Sequence, residues 1–194
     1  MAVLDHGYIN TWQFGATADA AVSENFVNTY ILPYLKFAKN CGSSTTSDCL
    51  YTIYNLNGQP FNWSTSAENF SRFYLVNGTA VTVYSSLKQM QLYVDINGWK
   101  APNKLGVDIF AFMYQNSKGP KNRQKLSIPN MNSPQEYIKG GAIDYTSYGC
   151  SKSAATYAGL LCTGLIFYSN GGKIPTKKQY IDWGGKPEEY PWNF

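Results

Sequence analysis

The sequence predicts an α+β fold, with an amino-terminal helix packed on an antiparallel β-sheet meander and a disulfide-tied carboxyl-terminal region. Three observations predict it. Aromatic residues recur at helical spacing between Asp19 and Lys39. From Tyr51 the period changes to two, with Asn-Gly turn signals at 57, 77 and 97. Four cysteines fall as two local pairs, Cys41 with Cys49 and Cys150 with Cys162.

The helix is expected over Asp19 to Lys39, because Phe26, Tyr30, Tyr34 and Phe37 line one face. Ser23 caps it or sits within it. Pro33 lies inside the pattern and either kinks or divides it. Lys36 and Lys39 suit the negative end of the helix dipole. Tyr51, Ile53 and Asn55 then alternate. Phe73 to Val76, Asn77-Gly78 and Thr79 to Tyr84 read as a hairpin with a two-residue turn. Further strands are expected near 91–96 and 108–114. Residues 115–149 hold several Pro and Gly and read as irregular. Ser153 to Ser169 returns to apolar periodicity and reads as a helix ended by Gly171-Gly172, with a strand as the alternative. The tail carries Tyr180, Trp183, Tyr190, Trp192 and Phe194.

A length of 194 residues fits one domain spanning 1–194, with 1–18 an irregular leading segment. Charged residues make up only 14%, against roughly 25% in ordinary soluble proteins, so the polar surface rests on Asn, Ser, Thr and Tyr. That surface suits secreted, adhesive or self-assembling chains. The net charge of +4 is too small to imply nucleic acid, and none is expected as a partner. The basic run Lys118, Lys121, Arg123 and Lys125 reads as a solvated loop.

The cysteine spacings read as two local disulfides rather than a zinc site, because neither matches a zinc knuckle and His6 is the sole histidine. Disulfides place the chain in an oxidising compartment. No run of eighteen apolar residues is present. The sequons at Asn62, Asn69 and Asn77 read as incidental.

Between two predicted strands lies Asp95-Ile96-Asn97-Gly98-Trp99-Lys100-Ala101-Pro102-Asn103-Lys104-Leu105-Gly106-Val107-Asp108. Asp95, Asn97, Asn103 and Asp108 supply hard oxygen donors of the kind calcium takes. The spacing is not that of an EF-hand, and the competing reading is a loop closed by Asx side chains on its own backbone. No catalytic residue is assigned and no enzyme is expected. The lone histidine and oxidised cysteines leave no nucleophile–base pair, and no Gly-rich phosphate loop is present.

Three stretches resemble the head domains of bacterial type IV pilins and type II secretion pseudopilins. They are Tyr93 to Phe110, with its Asp-x-Asn-Gly and Pro-Asn; Asn25 to Leu35; and Cys162 to Ile174 followed by Tyr190-Pro191-Trp192. Ala101 stands where that family's phrasing has Gly. The resemblance implies a pilin-like head, a non-catalytic structural subunit of a pilus or pseudopilus filament. Its partners would be identical or related subunits, at the surface of a bacterium. It also implies an apolar amino-terminal helix that anchors the subunit in the inner membrane before assembly. Residues 1–18 hold no such helix, so a head domain trimmed of it is expected. Some related pseudopilins bind calcium in a strand-connecting loop. The rival reading is a secreted carbohydrate-binding or adhesive module using Trp63, Trp99, Trp183 and Trp192.

Overall fold

Helix α1 spans Ala20–Tyr30 and begins where Asp19 caps it, its Oδ1 accepting from the Val22 amide at 2.7 Å. Ser23 lies inside the first turn rather than at the cap. The helix stops at Ile31, followed by a 3₁₀ turn over Leu32–Tyr34 with Pro33 in its first positions. The helix expected to reach Lys39 is thus divided at the proline, which lacks the amide needed to continue the ladder. Phe37, Lys39 and their neighbours belong instead to strand β1, Phe37–Gly42. A computed structural model describes residues 19–44, 48–49, 51–61, 69–86, 89–98, 100–115, 126–127, 133–139, 149–154, 157–169 and 171–192.

The strands that follow are β2 (Phe70–Leu75), β3 (Ala80–Ser86), β4 (Gln89–Asp95), β5 (Ile109–Gln115) and β6 (Leu126–Ser127). They lie in chain order in one six-stranded sheet; Asn77-Gly78 joins two of its strands and Asn97-Gly98 follows a third, while Asn57-Gly58 lies outside it. The first four strands pair antiparallel, as do β5 and β6. The β2–β3 connection is longer than the two residues predicted: Val76 to Thr79 separate the strands. Asn77 Oδ1 accepts from the Thr79 amide at 3.1 Å, the self-closing turn that Asn favours. The fold class is therefore α+β.

The chain gathers into two compact units, each drawn from three stretches: 1–51, 63–99 and 112–127 in the first; 52–62, 100–111 and 128–194 in the second. In the first, α1 covers one face of the sheet. Phe26 and Val27 are buried against Phe73, Val81, Val83, Met90 and Tyr114. Ser23 Oγ donates to the Asn69 carbonyl at 2.8 Å and accepts from the Ser85 amide at 3.0 Å, fixing the helix to the sheet at one point. Glu24 Oε2 accepts from the amide and hydroxyl of Ser43, just past the end of β1.

The second unit has short elements: α2 (Pro134–Lys139), α3 (Cys162–Ser169) and α4 (Lys177–Asp182). Helix α3 is the helix expected over 153–169, but it starts only at the second cysteine of its disulfide. Helix α2 was not foreseen in the stretch read as irregular. Its core gathers Leu56, Tyr137, Ile138, Leu161, Leu165, Tyr180, Tyr190 and Trp192 around the Cys150–Cys162 bridge. Among the described residues no helix is long and apolar enough to cross a membrane. His6, Trp63, Trp99 and the basic run at 118–125 lie outside the described residues.

Candidate functional site

Both cysteine pairs are disulfides with the predicted partners. Cys41 and Cys49 are joined with Cα atoms 5.7 Å apart, and Cys150 and Cys162 at 4.6 Å. The second bridge lies at a close approach. Gly106 has φ +78°, and a Cβ there would meet Cys162 Sγ at 2.4 Å. Only glycine fits both the backbone angle and the space. The Gly106 carbonyl accepts from Trp192 Nε1 at 2.7 Å, so one turn supports a bridge on one side and an indole on the other.

The four proposed metal-binding side chains do not fall in one unit. Asp95 and Asn97 end β4 in the first; Asn103 and Asp108 belong to the second. Asp95 is fully buried, accepts from the Asn97 amide at 3.1 Å, and bonds the Tyr51 hydroxyl. Asp108 accepts from the amides of Asn103 at 2.9 Å and Lys104 at 2.6 Å. Asn103 holds φ +50°, a conformation that Asn tolerates better than most residues. The Asp95 carboxylate thus closes an Asx turn on the Asn97 amide, while Asp108 reaches back to amides five and four positions before it. Asn97 Oδ1 is buried without a hydrogen-bond partner. Calcium takes six to eight oxygens. Among the described residues no three His, Cys, Asp or Glu side chains cluster as metal ligands.

Sequence reasoning missed two arrangements. The first is Arg72 on β2. It is 4% exposed, lies 5.7 Å from the centre of the Phe70 ring, and is flanked by Tyr51 and Tyr74. Neither Nη1 nor Nη2 has an acceptor. Burial lowers its tendency to hold a proton, and raises that of the Tyr51 and Tyr74 hydroxyls. An arginine in a run of strand residues gave no sign of burial.

The second is a cleft of about 270 Å³ in the second unit, lined by Ile138, Lys139, Ser151, Ser153, Ala154, Gly184, Lys186 and Glu189. Ser151 Oγ donates to Glu189 Oε2, and accepts from the Ser153 amide at 3.2 Å. Lys186 Nζ stands 3.5 Å from Glu189 Oε1. Burial alone would raise the carboxyl. The Ser151 and Ser153 hydroxyls and the Lys186 ammonium outweigh it and hold Glu189 below the usual carboxylate range. A carboxylate so stabilised is a weak general base. These residues are far apart in sequence, so no spacing announced them.

Trp192 is buried with its N–H committed, and Trp183 is partly buried against the core of the second unit. What fold and sites define is a disulfide-bonded α+β protein built on an antiparallel meander. Residues 1–180 match a family described as a family of unknown function, DUF6613, and the chain belongs to it. No curated protein and no solved structure matches it.

Proposed function

We propose that this chain is the head domain of a pilin-like filament subunit, of the type IV pilus or type II secretion pseudopilus kind. The observation that carries the proposal is the order of its parts. A helix with one buried face lies on a consecutive antiparallel meander, and a disulfide-bridged region follows it. Two disulfides suit export to an oxidising compartment. In this reading the head is non-catalytic and forms the filament surface. The assembly contacts run to identical or related subunits through an apolar helix preceding the head in the gene product. That helix holds the subunit in the inner membrane before assembly.

Immunogold labelling of the native bacterium with antibody against the head tests the proposal. Label along surface filaments, or in the envelope with a secretion apparatus, is the expected result. A product found wholly in the cytoplasm with free thiols overturns it.

A further inference from the structure

We propose that the cleft between α2, Ser151–Ala154 and the Gly184–Glu189 turn binds a small organic anion, a carboxylate carrying a compact apolar group. Lys139 and Lys186 bring two positive charges to the cleft and Glu189 one negative. Glu189 is already engaged: Oε2 holds the Ser151 hydroxyl and Oε1 faces Lys186. Ser151 has one proton, and Glu189 takes it. A cation entering the cleft would therefore compete for a carboxylate that is already neutralised.

Lys139 has no acid within ion-pairing distance among the described residues. It is exposed at the mouth, with Cε 4.0 Å from where a Cβ on Gly184 would stand, so its aliphatic stem forms a wall and its ammonium stays wet. The Ser153 hydroxyl is already spent on Glu189 and on the Ser151 oxygen, so the lysine ammonium groups are the donors the cleft offers an anion. Ile138 and Ala154, both nearly buried, supply apolar surface beneath. The net charge of the lining is positive, and Ile138 and Ala154 share it with the polar groups, which matches a carboxylate on a small hydrocarbon body. At the share of liquid volume one water takes, 270 Å³ corresponds to about nine waters, or a ligand of about ten non-hydrogen atoms.

The test is amide-resolved NMR titration of the folded chain at low ionic strength. Benzoate is the probe, and benzyl alcohol, benzylamine and inorganic phosphate are the comparison arms. Benzoate should shift the amides of Ser153, Gly184 and Lys186, and salt should weaken it, because these cations are exposed. Lys139→Gln should weaken benzoate about threefold, the worth of one exposed ion pair, with the melting temperature unchanged. Glu189→Gln should strengthen it, since the repelling charge goes while the amide oxygen still accepts from Ser151. Benzylamine binding as well as benzoate overturns the proposal. So does phosphate binding as well as benzoate, an affinity indifferent to Lys139→Gln, shifts confined to other parts of the chain, or no binding at all.

Discussion

In the first unit β3 and β4 match residue for residue over seven registered pairs, and β2 matches β3 over five. In the second, the helices run only six, eight and six residues. Such helices are marginal alone and take their stability from what they touch. The second unit replaces the ladder with discrete ties. Tyr180 donates its hydroxyl to the Cys150 carbonyl, Tyr190 to the Pro175 carbonyl, and Trp192 its indole N–H to the Gly106 carbonyl. The three rings meet edge to face, with centres 5.6 to 6.4 Å apart. Each is a large apolar group whose polar tip is satisfied, so burial costs nothing in lost hydrogen bonds. Buried aromatic anchors should matter in both units, but only in the second should their polar tips add hydrogen bonds that substitute for a strand ladder.

The sharpest break should come from truncating one anchor on each side. Trp192→Ala and Phe26→Ala should each cost about 3–5 kcal/mol in chemical denaturation, the usual loss for a buried aromatic. Trp192→Phe should retain most of the packing yet lose the Gly106 bond. If Trp192→Phe is silent, the tie to Gly106 contributes nothing and the contrast between the units fails.

Removing the disulfides one at a time sharpens the same contrast. The bridges close loops of sequence separation 8 and 12, for which chain entropy gives nearly equal losses of about 3 kcal/mol. Any excess on replacing Cys150 and Cys162 by Ala therefore reports the buried packing under Gly106. We expect that excess, measured against the Cys41/Cys49 double variant. Equal losses would show that the second bridge acts on the unfolded chain alone.

The pH dependence separates the units less strongly. Burial, then the Glu189 charge, holds the Tyr180 hydroxyl well above the usual tyrosine value. A raised folded value means that the proton is lost more readily once unfolded. This stabilisation is complete below pH ~10 and lost as pH rises beyond it. Tyr180→Phe should flatten the alkaline decline in melting temperature. For Glu189 the sign reverses. Its folded value is depressed, so its contribution is present above the unfolded value and fades as pH falls through the acid range, and Glu189→Gln should flatten that decline. Two smaller effects close the series. Arg72→Met should be neutral or stabilise by about 1 kcal/mol, because it removes a buried charge whose terminal nitrogens lack acceptors. Calcium should leave the melting temperature unchanged, since Asp95 and Asp108 already serve backbone amides; a rise abolished by Asp108→Ala would place a metal on the loop.

Features legible in the sequence are those set by neighbouring residues. The hairpin about Asn77, the strands flanking Asp95 and Asp108, and both local cysteine pairs follow from turn chemistry, alternation and short spacing. The helix boundary failed at Pro33 because the aromatic spacing past it fits a helix by coincidence; Phe37 is exposed on a strand. The cleft at Glu189 and the box around Arg72 were illegible for another reason. Each is assembled by tertiary folding from residues with no local pattern: Ser151 and Glu189 stand 38 positions apart.

Strand β1 forms one border of the sheet, and its pairing with β2 slips twice. Ala38 and Cys41 are each an extra residue opposite none, the second carrying the bridge to Cys49. The outward amides and carbonyls of that border are consequently out of step with a straight strand. A stray extended chain finds no continuous template there. In a protein whose charged residues make up only 14% of the chain, this border resists edge-to-edge extension of the sheet by a strand of another copy.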